Sequence, residues 1–220
     1  MEYLKLILLG IFFAFYCASP SYQLHIGESF YPPSQQMIMS GGSLIANASI
    51  DSVMEVTGIY CDQHVFIDKY PVIRIYNDGK FYIPLSTKLQ CPDGMLVKIK
   101  GKIIELSITY SMIKKTLSYH HLEPIDYEVV FNTQKLIKNV NDEYHRIRQK
   151  LQEQITIEQS KLQLKDNPDW GIWYDQGQNI FIFHSHQYDL MYAADIEFIV
   201  NARTKKIKDV YAREWFKGEM

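Results

Sequence analysis

The sequence predicts an α+β fold in two parts, a strand-rich stretch over residues 44–131 and then one long helix, 133–164, packed on a C-terminal antiparallel sheet. Three observations predict it. Runs of β-branched and aromatic residues with a period of two recur between Val53 and Phe131, the pattern of strands that bury one face. The period then lengthens to that of a helix from Leu136 to Leu162. Beyond Pro168 four further strand-like runs follow, the first two flanking the turn-rich Asp175-Gln176-Gly177-Gln178.

Ahead of these elements stands an address. Lys5 precedes the apolar run from Leu6 to Ala18. At about 13 residues that run is short of the ~20 a spanning helix needs. Ser19-Pro20-Ser21 follows it and suits signal-peptidase cleavage. Residues 1–21 therefore read as a signal peptide cut near Ser21, with a mature chain starting near Tyr22. Retention of residues 6–18 as a membrane anchor is the alternative. Phe15 and Tyr16 before Cys17 argue against acylation of that cysteine, which needs a small residue in front of it. The chain is then secreted or periplasmic, with no stable membrane span after cleavage.

The elements follow in order. Residues 22–43 lack sustained periodicity, contain Pro32-Pro33 and Gly41-Gly42, and read as an extended lead-in. Asn47-Ala48-Ser49 is a glycosylation sequon, of consequence only on a eukaryotic secretory route. Val53 to Cys61 is a strand interrupted by Gly58, a position where strands bulge or bend. Val72 to Tyr76 and Lys80 to Leu85 flank Asn77-Asp78-Gly79, the strongest hairpin signal in the chain. Met95 to Leu106 alternates again and carries Gly101, and Tyr127 to Phe131 supplies a last strand.

A bent first strand, a hairpin, a connector, a glycine-interrupted strand and a closing strand resemble a five-stranded OB-fold barrel over residues 44–131. The resemblance rests on Val56-Thr57-Gly58-Ile59, the Asn77-Asp78-Gly79 turn and Val97 to Ile103. It implies an OB-like β-barrel, a fold that commonly takes oligonucleotides or oligosaccharides on one face, although fold alone does not carry function.

In the second part Leu136, Val140, Tyr144, Ile147, Leu151, Ile155 and Leu162 form one apolar stripe, with charged residues elsewhere on the circumference. Asn132 or Thr133 can cap its start, and Asp166-Asn167-Pro168 ends it. The stripe is too short for a coiled coil and suits packing on a sheet. In that sheet, the run from Tyr192 to Val200 puts Tyr192, Ala194, Ile196, Phe198 and Val200 on one face, with Asp195 and Glu197 on a solvated one. Ile207 to Phe216 closes it.

Charge and composition exclude some functions. A formal net charge of -2, unchanged once Glu2 and Lys5 leave with the signal, speaks against a dedicated nucleic-acid binder. With 47% hydrophobic residues the chain can bury a substantial core. Removal of Cys17 leaves Cys61 and Cys91, an even pair in an oxidising compartment, read as a disulfide. It would close a loop of about 30 residues and contribute ~3–4 kcal/mol. No Cys-x-x-Cys supports a redox or zinc role.

The sharpest chemical constellation is His184-Ser185-His186, two imidazoles on one strand face that could serve a zinc or copper ion. A third ligand would have to come from Asp189, His64, His120, His121 or His145. Cys61-Asp62-Gln63-His64 gathers a thiol, a carboxylate and an imidazole, the set of a thiol hydrolase, which a Cys61 disulfide would disable. Asp195 and Glu197 could act as an acid and base pair. No Gly-x-Ser-x-Gly, His-Glu-x-x-His or phosphate loop occurs, and no cofactor is expected. With 16 tyrosines and 3 tryptophans, a recognition surface drawn from Trp170, Trp173, Tyr174, Tyr188 and Trp215 is the leading alternative to core packing. The function expected is an exported, non-enzymatic binding protein of the envelope or extracellular space that recognises a protein or glycan through aromatic-rich β surfaces. A small metal-assisted or thiol hydrolase and a membrane-tethered structural subunit are the alternatives.

Overall fold

The computed structural model describes residues 22–30, 43–62, 70–77, 79–110, 115–155, 162–189 and 191–216, and of residues 108–110, 115, 215 and 216 the backbone alone. The expected signal peptide, the second half of the lead-in, His64 and Asp78 lie outside the described residues.

Ten strands and one helix make up the described chain: β1 (Gln23–Ile26), β2 (Val53–Cys61), β3 (Val72–Tyr76), β4 (Lys80–Pro84), β5 (Met95–Tyr110), β6 (Lys115–Asn132), α1 (Gln134–Ile155), β7 (Gly171–Asp175), β8 (Ile180–Tyr188), β9 (Tyr192–Asn201) and β10 (Ile207–Phe216). All ten strands belong to one sheet, in the order β1-β10-β9-β8-β7-β3-β2-β5-β6, with β4 on β3. This corrects the expected α+β fold of an OB-like barrel followed by a helix on a separate antiparallel sheet. The chain is mostly β, and its sheet is a single mixed one. Two parallel pairings that no sequence period announces are responsible: β1 on β10, and the end of β3 on β7 through Ile75↔Tyr174 and Tyr76↔Asp175.

The join at β3 depends on a glycine. β2 pairs with Val72 to Arg74, and β7 takes over at Ile75. Gly58 is where β2 passes closest, since a Cβ there would lie 2.5 Å from the Ile73 Cγ2 and 2.8 Å from the Arg74 carbonyl oxygen. Around the early strands the sheet curls until Leu85 meets Leu122 in a parallel bridge. Inside the curl Val56, Tyr60, Ile73, Ile83, Val97, Ile99 and Leu122 form one apolar core.

The helix buries Leu136, Val140, Tyr144, Ile147, Leu151 and Ile155 in a second core with Phe181, Phe183, Ile196 and Phe198 of the same mixed sheet. Asn132 caps it, its side-chain oxygen accepting from the Gln134 amide at 2.9 Å. The expected span to residue 164 is too long. Residues 156–161 lie outside the described residues, and Leu162 and Leu164 belong to an extended return that packs into the same core. Gln152 holds this return, donating to the Leu162 carbonyl and accepting from the Leu164 amide. Leu162 therefore matched the helical stripe through its burial and not through its position on the helix.

Candidate functional site

Alternation along β8 and β9 sends Ile180, Ile182, His184 and His186 to one face, beside Asp195, Glu197 and Ile199. The other face carries Phe181, Phe183, Ile196 and Phe198 and meets the helix. The polar face was expected to be solvated. Instead the β3–β4 hairpin and the Ser29-Phe30 segment cover it, and Asp195 and Glu197 keep 5% and 1% of their exposure. The strand that seemed half-buried by its alternation is buried on both faces.

Under this cover a hydrogen-bonded network runs from strand to strand. Asp195 Oδ1 lies 2.9 Å from His184 Nε2 and 2.8 Å from His186 Nδ1. A carboxylate only accepts, so both imidazole nitrogens carry protons. His184 Nδ1 is left as an acceptor, and Lys80 Nζ donates to it at 3.0 Å. Burial, with the Lys80 charge beside it, pulls His184 down to about 4, against the pull of Asp195, so the ring is neutral at pH 7. Burial opposes the Asp195 charge too, yet hydrogen bonds from the two histidines outweigh it and hold the carboxyl well below the usual range.

Two further groups complete the network. Burial lowers the Lys80 amine, resisted by Glu197 and Asp195, and its Nζ sits 4.6 Å from the Trp173 ring centroid. Burial raises the Glu197 carboxyl, against the Lys80 charge and the bonds it accepts at Oε2 from the Phe30 amide, 2.7 Å, and the Ser29 hydroxyl, 3.1 Å. Glu197 Oε1 and Trp173 Nε1 are buried without a hydrogen-bond partner among the described residues. The cluster clamps three pieces of chain together: β8–β9, the β3–β4 hairpin and the Ser29-Phe30 segment.

The sequence-flagged residues fall out as follows. Both nitrogens of His184 are engaged within the network, and no group of three or more His, Cys, Asp or Glu among the described residues is placed to hold a metal. Asp189 accepts instead from the Met191 and Tyr192 amides. Cys61 is buried at the end of β2 and Cys91 is half-buried, and no disulfide joins them among the described residues. Tyr60 packs inside the curl and Cys61, next along β2, is buried on the opposite face of the strand, whereas Cys91 packs on the inner core. Asp62 is taken up by Lys88 and the Tyr60 hydroxyl.

The expected aromatic surface is mostly interior. Trp173 and Tyr174 are buried, and Trp170 packs on Tyr144 and Phe198 with its Nε1 donating to Asn141. Tyr188 alone of the five is shown exposed, at 63%; Trp215 lies in β10, its side chain outside the described residues.

What the sequence reading missed is an edge. β6 runs from Lys115, not Tyr127, and stands last in the sheet order. Past the bridge at Leu122 no described strand pairs with its outer side. Two register shifts against β5 leave Ile125 and Val130 as bulged residues, 59% and 50% exposed, and Val129 is exposed beside them. Pro124 within the strand was the available signal, because a proline that cannot donate is tolerated at an edge or a bulge. Among the described residues no helix is long and apolar enough to cross a membrane. No protein-family model matches this chain, and no curated protein matches it in sequence.

Proposed function

We propose that this chain is an exported binding protein without catalytic activity, which holds an extended segment of another protein along the outer edge of β6. The observation that carries the reading is the ladder from Glu123 to Phe131, whose outer side no described strand pairs with and which carries exposed Ile125, Val129 and Val130. Such an edge is a template for one more strand, with backbone bonds supplying affinity and alternate side chains supplying selectivity. The network around Asp195 supports the non-catalytic half of the reading, because Asp195, His184 and Lys80 bond to one another and Glu197 Oε2 bonds to the covering segment.

Tyr188 and Met191, exposed together at the far end of β8, favour a second reading in which contact is made by an aromatic end of the sheet. Photo-crosslinking in the native cell from a reactive residue at position 130 or at position 188 separates the two. A discrete adduct from 130 alone supports edge binding. An adduct from 188 alone transfers the function to the aromatic end, and no adduct from either overturns both.

A further inference from the structure

The reading of β6 as a docking edge says nothing of what docks; the charges around it do. On the outer face of the curl three strands run side by side. Lys98, Lys100 and Lys102 of β5 stand between acids of β2 and its preceding turn and acids of β6, since Lys98 pairs across to Glu128, Lys100 to Asp126 and Lys102 to Glu123. The lysines are shared unequally. Lys98 Nζ lies 2.8 Å from Glu55, and Lys102 Nζ lies 2.8 Å from Asp51. Among the described residues no cation comes within ion-pair distance of Asp126 or Glu128. Among the described residues, the acids on one side of β5 hold Lys98 and Lys102 in ion pairs, and those on the edge side act on these lysines only from a distance.

The two bulges frame this pair. Between Ile125 and Val130 the ladder is regular, and Asp126 and Glu128, two residues apart, share the outer face. The edge thus presents a short motif: apolar, acid, tyrosine, acid, then two valines. Bulges re-aim side chains and twist an edge away from indiscriminate pairing, which leaves a segment of about six residues with its own side-chain code.

Resting on that docking reading, we infer that the occupant of the β6 edge is an extended segment of a partner protein carrying two basic residues at alternate positions, flanked by apolar ones. Its lysines or arginines would continue the acid, base, acid succession across the sheet by one more strand. Its apolar residues would cover Ile125 and Val130. A second copy of this chain centred on Tyr127 would set Asp126 of one copy against Glu128 of the other, and like charges opposed across a ladder are destabilising.

The test uses the full chain and three fluorescein-labelled ten-residue peptides that alternate valine with lysine, with glutamate or with serine. Binding is read by anisotropy, and its location by amide hydrogen exchange over residues 123–131. The lysine peptide should bind and slow exchange at β6, and the glutamate peptide should not. In the double variant Asp126→Lys with Glu128→Lys the order of the two should reverse, with the lysine peptide weakened about tenfold or more, as expected when two favourable cross-strand pairs become two repulsive ones. Circular dichroism and unchanged peptide-free exchange elsewhere confirm that the variant is folded. If all three peptides protect β6 equally, the basic specificity is overturned and the docking edge stands. If none protects it, the docking edge itself is overturned.

Discussion

Two faces of the sheet carry the same kinds of residue in the same alternation and put them to opposite uses. On the β8–β9 face Asp195 and Glu197 alternate with apolar neighbours, and on β6 so do Asp126 and Glu128. Asp195 and Glu197 are buried under β3–β4 and the Ser29-Phe30 segment, whereas Asp126 and Glu128 remain in solvent. The difference lies in what packs on top. Alternation establishes that a strand has two faces; it does not say whether another layer arrives to cover the polar one, and a covered carboxylate must find donors or stay protonated.

The largest effect that would break this contrast is removal of the buried charge. Asp195→Asn leaves two histidines facing a neutral amide and should cost about 3 kcal/mol in urea unfolding at pH 7, the range for losing buried hydrogen bonds to a charged group. A cost under about 0.5 kcal/mol, the size of a surface change, would place Asp195 with the edge acids. The next effect is the acid limb of stability. His184 is held near 4 in the native state against 6.5 when free, so between those values the unfolded chain binds the extra proton. Stability should be complete above about pH 6.5 and fall on the order of 2–3 kcal/mol as pH drops toward 4. In His184→Gln that part of the slope should vanish.

Glu197 works with the opposite sign. Its native carboxyl is raised, so the folded chain keeps a proton that the unfolded one releases, and this group removes stability as pH climbs above about 4.5. Glu197→Gln preserves an oxygen to accept from Phe30 and Ser29 and should gain on the order of 1 kcal/mol over the native chain at pH 8, with little difference at pH 4. Equal differences at both values would mean that Glu197 is not buried as a titrating group. The smallest effect belongs to the edge: Glu128→Gln should shift unfolding by no more than about 0.5 kcal/mol.

Much of the local structure was legible in the sequence. Val53 to Cys61 and Val72 to Tyr76 are strands at the limits their patterns gave, Gly171 to Asp175 runs one residue into its expected turn, and the Asn77 to Gly79 turn joins β3 to β4 in register. Long-range assembly was not. The β3–β7 junction rests on two residue pairs about a hundred positions apart, and nothing in either run names the other. β1 hid in the lead-in because a four-residue strand has too few alternations to show a period. The site was half visible. His184, His186, Asp195 and Glu197 were singled out, but Lys80, which fixes the His184 tautomer, comes from a separate hairpin, and a lone lysine beside a turn reads as solvated. The β6 edge escaped because His120, His121 and Pro124 broke the strand pattern before Tyr127.

The most direct test of the contrast is residue-resolved amide exchange of the full chain at neutral pH. Amides of β9 should exchange only through global unfolding, while the amides of Asp126 to Val130 that do not point at β5 exchange at rates near those of an open strand. Slow exchange along both sides of β6 in the isolated protein would show the edge already covered, and fast exchange at Asp195 and Glu197 would show the buried face open; either result contradicts the division of labour between the two faces.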